Sequence, residues 1–224
     1  MNVKNKIEAA VFGISRLRMG IDGPGVTTLV TFMGCPLHCK YCINEKCHEP
    51  VSEADGKTVR PGIILLSPQE LYDRVKKDNI YFQATGGGIC FGGGEPGLQS
   101  EFIEEFRRIC GDKWTLTIET SLNYDPKHLE RLIHVIDHWI VDIKELSPKI
   151  YKRYTGANLD LAYSNLNRLV DHKERVIVRT PIIPGFNKGE DVDISCDKLA
   201  LLGFQTDKLT YLTPEEYEQR KRKV

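Results

Sequence analysis

The stretch Gly34-Cys35-Pro36-Leu37-His38-Cys39-Lys40-Tyr41-Cys42 decides how the rest of this chain is read. Three thiols spaced Cys-x3-Cys-x2-Cys can converge on one metal centre, yet they are one short of the four cysteines a [4Fe–4S] cubane normally takes. One iron then keeps an open coordination position, and an open position is where a metal does chemistry rather than scaffolding. On spacing alone a structural zinc site closed by Cys47 or His48 is the alternative. Further on, Gly92-Gly93-Gly94-Glu95-Pro96 follows a short apolar run at 89–91. Glycines lack a Cβ and let backbone approach a ligand closely. Neither this run nor Gly86-Gly87-Gly88 is followed by the Gly-Lys-Ser/Thr of a phosphate-binding loop.

Composition narrows the class. With 224 residues, the chain suits one large domain with a proper core. Lys plus Arg equals Asp plus Glu at 31 each, so no net field argues for nucleic acid or an anionic membrane as partner. No apolar run approaches the ~20 residues needed to span a bilayer. Met1-Asn2-Val3-Lys4-Asn5-Lys6 has no signal-peptide core behind its charges, so a cytoplasmic protein is the expectation, and a monomer is expected. The basic tail Arg220-Lys221-Arg222-Lys223 reads as a solvated terminus. Seven cysteines, three of them clustered, suit a reducing compartment. Cys90, Cys110 and Cys196 read as small buried hydrophobes, and Cys47 is ambiguous.

Strand-like and helix-like segments alternate. Strands are expected at 26–33, 89–91, 114–120, 139–143, 176–180 and 208–212. Ser67-Pro68-Gln69-Glu70 is a capping box with proline at the first helical position, opening a helix to about residue 79. Further helices are expected at 101–110, where Phe102, Ile103, Phe106 and Ile109 share a face, from Asp125-Pro126 to about 136, from Ser147-Pro148, at 159–172 and at 191–202. None is expected after the last strand. Six strands with helices between them argue a parallel sheet of the α/β class, too short for a closed eight-stranded barrel. Residues 45–62, with turn formers and charges, read as a mobile loop.

In parallel α/β folds, ligands bind at the carboxyl ends of strands. The cysteine loop, Gly92–Glu95, Glu119-Thr120, Asp142-Ile143-Lys144 and Arg179 all fall at such ends. Asp142 and Lys144, two residues apart on a strand, point to one side, either as ligand-binding groups or as a rim salt bridge. His38, Arg131, Arg153, His128, His134 and His138 read as surface residues.

The cysteine triplet followed by Gly-Gly-Gly-Glu-Pro resembles the radical S-adenosylmethionine (SAM) enzymes. Asp22-Gly23-Pro24-Gly25-Val26, Val141-Asp142-Ile143-Lys144, Tyr154-Thr155-Gly156 and Arg179-Thr180-Pro181-Ile182-Ile183-Pro184-Gly185-Phe186-Asn187 narrow the likeness to the glycyl-radical-enzyme activating enzymes. The resemblance covers residues 12–212 of a chain expected to be one domain. It implies a partial (β/α)6 barrel. It also implies a [4Fe–4S] cluster on Cys35, Cys39 and Cys42, and SAM cleaved to methionine and a 5′-deoxyadenosyl radical that abstracts hydrogen from a glycine of a partner enzyme. Tyr41, with Cys42 and Ile43, falls at the adenine, Gly93, Gly94 and Glu95 at the SAM amino group, and Glu119 and Thr120 at its ribose or at a monovalent cation. Asp142 falls at that cation, and Lys144 and Arg179 at the SAM carboxylate. A flavodoxin- or ferredoxin-type reductant is implied as a further partner. The chain departs from the family at Thr27, where arginine is common, at Ile43, where histidine is common, and at Tyr211-Leu212-Thr213-Pro214, which lacks a histidine. Other readings are an activator of anaerobic ribonucleotide reductase, a modifier of peptides or small molecules, and a zinc- or cluster-binding module without catalysis.

Overall fold

A computed structural model describes residues 6–221. The charged stretch up to Asn5, and Arg222 and Lys223 of the basic tail, lie outside the described residues. The strands are β1 (Ala9–Met19), β2 (Val26–Phe32), β3 (Ile64–Leu66), β4 (Gly88–Gly93), β5 (Thr115–Thr120), β6 (His138–Asp142), β7 (Val176–Ile182) and β8 (Gln205–Thr210). The helices are α1 (Pro68–Val75), α2 (Asn79–Thr85), α3 (Ser100–Cys110), α4 (Pro126–Leu132), α5 (Pro148–Thr155), α6 (Asp160–Arg168), α7 (Gly189–Leu201) and α8 (Pro214–Lys221). The strand order is β3-β1-β2-β4-β5-β6-β7-β8, with β3 and β8 at its ends, so the sheet is open, as a partial barrel requires.

All six expected strands are present. Two were not expected, β1 and β3, and both pair antiparallel, β1 with β2 and β3 with Ala9–Val11 of β1. Register shifts at Val11/Gly13 and Ser15/Arg18 break the period-two alternation of β1. The three residues of β3 are too short to carry any period. The expectation of no helix after the last strand is also corrected, by α8. Its start is a reciprocal cap: the Glu216 amide donates to Thr213 Oγ1 at 3.2 Å, and the Thr213 amide donates to the Glu216 carboxylate at 2.8 Å.

The chain divides into two compact units. The first runs to Cys35 and takes in Asn44–Thr120 and Tyr124–Ile140. Within it, β2, β4 and β5 run parallel in register, Thr27 opposite Gly88 and Gly88 opposite Thr115. Its core is aromatic: Phe32 stacks on Phe91, with the edges of Phe102 and Phe106 against these rings. All four are fully buried or nearly so, and each such ring stabilises the fold by about 2–3 kcal/mol. The Ser67 capping box is formed as expected, the Ser67 amide donating to Glu70 at 2.7 Å, and α1 continues through a 3₁₀ turn into α2. The lead-in segment is held by the buried Asp22, which takes an ion pair from Arg18.

The second unit holds Pro36–Ile43, Ser121–Asn123 and the chain from Val141 onward. Here β7 and β8 run parallel, Arg179 opposite Asp207. Tyr151 and Tyr154 of α5 are fully buried, and α5 ends on Gly156 in the left-handed conformation, the usual device for stopping a helix. Among the described residues, no helix is long and apolar enough to cross a membrane.

Candidate functional site

In the first unit, the start of the cysteine loop is fastened to the glycine strand by main-chain hydrogen bonds. The Gly34 amide donates to the Cys47 carbonyl at 2.8 Å, and the Gly34 carbonyl accepts from the Glu95 amide at 2.7 Å. The Gly94 amide donates to the Phe32 carbonyl at 2.9 Å, and Asn44 Nδ2 to the Gly93 carbonyl at 3.1 Å. Backbone this close tolerates no side chain. A Cβ on Gly94 would lie 2.1 Å from the Gly34 carbonyl oxygen and 2.9 Å from that of Phe32. Gly93 adds a φ of +94°, in the region open to glycine. The Gly94 and Glu95 amides are engaged, and the Gly93 carbonyl, which accepts from Asn44, keeps a second lone pair of the kind an ammonium group needs.

Glu95 is buried, and its Oε1 accepts from the Gly97 amide at 3.0 Å and from Thr120 Oγ1 at 2.6 Å. It therefore caps the 3₁₀ turn Pro96–Gln99, while Thr120 at the end of β5 orients it. Glu119, one residue earlier, lies over bare backbone: a Cβ on Gly92 would be 3.3 Å from Glu119 Oε2. Cys35 borders a cavity of about 350 Å³ with Cys47, His48 and Gln99. The Glu45–Gly62 segment, read from sequence as a mobile loop, has its own order here. Cys47 is buried, Ser52 bridges Val59, and the Asp55 carboxylate accepts from the Thr58 amide at 2.9 Å.

In the second unit, the rest of the cysteine loop is fastened to the end of α5. The His38 amide donates to the Thr155 carbonyl at 2.8 Å and the Lys40 amide to the Tyr154 carbonyl at 3.1 Å. These carbonyls belong to the last turn of a helix, where no intrahelical partner is available, so the loop completes the helix and the helix shapes the loop. Tyr41 donates its hydroxyl to the Pro184 carbonyl at 3.0 Å, and its ring meets the edges of Tyr154 and Phe186. Sequence reading places Tyr41 correctly in the loop but not its anchor at Pro184, although the Tyr154-Thr155-Gly156 and Pro184-Gly185-Phe186 motifs were the signal for it.

Asp142 closes β6, and Lys144 Nζ reaches its Oδ2 at 2.8 Å. The same ammonium donates to the Tyr211 hydroxyl at 2.7 Å and lies 5.2 Å from the centre of that ring. Of the two readings of the pair, the structure shows the salt bridge, and its lysine is only 12% exposed. Burial opposes the charge on Lys144, but Asp142, Tyr211 and Cys39 outweigh it and hold the ammonium well above its ordinary value. Burial pushes the Tyr211 phenol up against the pull of Lys144. Tyr211 was noted from sequence only as lacking a histidine neighbour, and its role as the lysine's partner is visible only in the fold.

Two placements are corrected. Arg179 is the fourth residue of a strand that runs on to Ile182, not its carboxyl end, because β8 pairs through Ile182 opposite Thr210. Cys196 is half-buried on α7 rather than sealed in the core, unlike Cys90 and Cys110. Ile43 is 73% exposed. Among the described residues, no group of three or more His, Cys, Asp or Glu side chains is gathered as a single-ion site. By chemistry the donor set fits an iron–sulfur cluster, three soft thiols within eight residues of sequence.

Comparison with known proteins places these features. The model of the radical SAM superfamily matches residues 29–195. The (2S)-3-sulfopropanediol dehydratase activating enzyme of Klebsiella oxytoca is 28% identical over 79% of this chain and 72% of its own. The pyruvate formate-lyase 2-activating enzyme of Escherichia coli (strain K12) is 31% identical over 80% of this chain and 68% of its own. Among solved structures, Streptococcus suis SuiB bound to precursor peptide SuiA has a TM-score of 0.60 at 14% identity, over 82% of this chain and 38% of that one, a likeness of fold. With the family model spanning most of its length, this chain belongs to the radical SAM superfamily.

Proposed function

We propose that this chain cleaves SAM reductively and installs a glycyl radical on a partner enzyme. The observation that carries this reading is the fastening of Gly34, next to Cys35, to the Glu95 amide, with the Gly94 amide on the neighbouring Phe32 carbonyl. It seats one cysteine against a strand end offering carbonyl acceptors. Relatives that activate sulfopropanediol dehydratase and pyruvate formate-lyase 2 support the choice of a protein glycine as target.

When bound through Cys35, Cys39 and Cys42, a [4Fe–4S] cluster supplies the single electron that splits the sulfonium C–S bond of SAM to give methionine and the 5′-deoxyadenosyl radical. The chain's own residues bind and orient. The Gly93 and Gly94 carbonyls accept from the SAM ammonium, and Glu95, fixed by Thr120 and Gly97, holds that turn in shape. Lys144 neutralises the SAM carboxylate, with Arg179 as a second cation. Tyr41, locked by Pro184, Tyr154 and Phe186, and the main chain of Cys42 and Ile43 bound the adenine. Glu119 faces the ribose, and Asp142 a monovalent cation. The enzyme works as a monomer in the cytoplasm, and a flavodoxin- or ferredoxin-type protein supplies its electron.

Anaerobic reconstitution with iron and sulfide tests this. The expected product is a brown protein that releases 5′-deoxyadenosine when reduced with SAM present, and that produces a glycyl radical signal on a glycyl radical enzyme encoded nearby. Colourless protein retaining zinc sinks the reading. Release of 5′-deoxyadenosine with no glycyl radical on any candidate, but with a modified peptide, moves the chain to the peptide modifiers.

A further inference from the structure

A carboxylate sealed inside the second unit is held by uncharged donors. Glu145 is 2% exposed. Its Oε1 accepts from the Leu146 amide at 2.8 Å, the Ser147 amide at 3.1 Å and Ser195 Oγ at 2.8 Å, and its Oε2 accepts from Asn187 Nδ2 at 3.1 Å. A buried carboxylate costs stability unless its oxygens are satisfied, and an apolar side chain with matching neighbours would hold the core as well. The charge therefore points to a task of position rather than of packing. Glu145 directly follows Lys144: the lysine reaches Asp142 and Tyr211, while the glutamate turns into the interior.

Asn187, also buried, is the other half of the contact. Its Nδ2 donates to the Pro181 carbonyl at 3.0 Å as well as to Glu145, and its Oδ1 accepts from the Ile183 amide at 2.6 Å. These partners fix the amide one way round. Ile183 needs an oxygen and Pro181 needs an N–H, so only an acceptor fits where Glu145 Oε2 stands. Around Asn187 the chain turns sharply, the Phe186 and Asn187 amides donating to the Ile183 carbonyl at 3.0 and 3.2 Å. That turn presents the Pro184 carbonyl to the Tyr41 hydroxyl and the Phe186 ring to the Tyr41 ring. Just before it, the Ile182 carbonyl accepts from the Tyr211 amide at 2.9 Å, so the same strand end carries the phenol that meets Lys144. One buried contact thus joins the segment bearing Lys144 to the turn that anchors Tyr41.

We propose that Glu145 and Asn187 are positioning residues for SAM, their contact setting the spacing between Lys144 and Tyr41, an inference that rests on the SAM-cleaving function proposed above. Lys144 and Tyr41 are the groups given there to the SAM carboxylate and the adenine, at opposite ends of the ligand. Glu145 and Asn187 act through them and take no contact with SAM themselves. The carboxylate is kept because Asn187, oriented by Pro181 and Ile183, offers it only a hydrogen.

Glu145→Gln tests the contact with little change of shape, because its amide sets a donor against either Asn187 Nδ2 or the Leu146 and Ser147 amides. The expected result is SAM binding to the reconstituted protein weakened about tenfold at unchanged iron content. Asn187→Ser breaks the same contact from its other side, in case Glu145→Gln fails to fold, and should give a similar loss. Ser195→Ala removes a different partner of Glu145 and should leave SAM affinity within about twofold. An equal loss in Ser195→Ala would make Glu145 a general stabiliser and overturn the proposal. A double-mutant cycle reads the route: Tyr41→Phe should weaken SAM binding in the wild type and cost clearly less beside Glu145→Gln, and strictly additive losses overturn the proposal. Hydrogen exchange on the cluster-free protein reads the contact without SAM. Residues 183–187 should exchange about tenfold faster in Glu145→Gln, with residues 88–95 of the first unit unchanged. Unchanged exchange at 183–187, or a rise shared by 88–95, overturns the proposal. If the wild type binds no SAM, it is the SAM-cleaving function that fails, and the exchange result still decides whether Glu145 holds the turn.

Discussion

In the first unit the rim around Gly34 and Gly94 is held almost entirely by main chain, whereas in the second the rim around Asp142 and Lys144 is held by side chains. Main-chain hydrogen bonds link Gly34 to Cys47 and Glu95, Cys47 to Asn44, and Gly94 to Phe32, and Asn44 adds one from its side chain to Gly93. In the second unit, a carboxylate, an ammonium and a phenol make a half-buried triad, and two aromatic rings, Tyr154 and Phe186, pack against Tyr41. The difference teaches where each unit is brittle. A backbone site has no room for a new atom but carries little charge, while a side-chain site accepts substitution sterically and is damaged when one charge loses its partner.

The largest expected effect is on metal loading. Cys39→Ala should abolish iron retention and SAM cleavage together, whereas Cys47→Ala, which keeps the backbone carbonyl that accepts from Gly34, should leave both intact. Iron analysis and 5′-deoxyadenosine release measure this. If Cys47→Ala strips the metal, the three-cysteine assignment is wrong.

Next comes Gly94→Ala, the sharpest probe of the backbone site. The added methyl meets two carbonyl oxygens, so about 1–3 kcal/mol of stability should go, with SAM binding lost alongside. Urea unfolding and SAM titration on one preparation would reveal it, and unchanged values for both would break the contrast between the units. Lys144→Ala should keep the fold and the iron while weakening SAM binding. A charge-assisted contact is worth about 1.5–3 kcal/mol, so a loss of roughly tenfold to a hundredfold is expected. Tyr211→Phe, which removes only the phenol's hydrogen bond, should cost less than Lys144→Ala in the same titration. The reverse order would show that the tyrosine, not the lysine, faces the ligand.

The smallest effect lies away from both rims. Burial pushes the Cys110 thiol up to about 11, while Arg107 pulls the other way. At pH 8 it should stay a thiol and alkylate slowly in the native protein. An acid whose folded pKa is raised favours the native state below the pH where an ordinary thiol ionises. That contribution is lost as pH climbs toward 11, so Cys110→Ser should flatten the alkaline limb of a plot of melting temperature against pH. An unchanged limb would place the alkaline sensitivity elsewhere.

Much of the fold was legible because it obeys local rules. The β-branched run of β2, the Ser67 box and the apolar face of α3 each state their structure within a dozen residues. β1 was missed because two bulges scramble its alternation, and α8 was missed although Thr213-Pro214-Glu215-Glu216 spells a capping box, the polar helix behind it having no apolar face to mark it. For the site, the cysteine triplet and the glycine run stand out because their residue types are rare at that spacing. Asn44, Tyr211 and the Tyr154–Phe186 support do not, since an ordinary asparagine or tyrosine carries no sign of which distant carbonyl or ammonium it will meet.

By itself, the sequence determined the class of chemistry: three thiols in eight residues and a bare glycine turn limit the ligands to soft metal and a group needing close backbone approach, whatever the fold. Only the tertiary structure decided which groups are committed and which are presented, that the Gly94 amide is spent on Phe32, that Lys144 is buried against Tyr211, and that α5 turns its lysines outward beside the loop. The reason is physical. Element type and donor chemistry are local properties of the chain, but hydrogen-bond partners and burial depend on residues dozens of positions away, which folding alone brings within 3 Å.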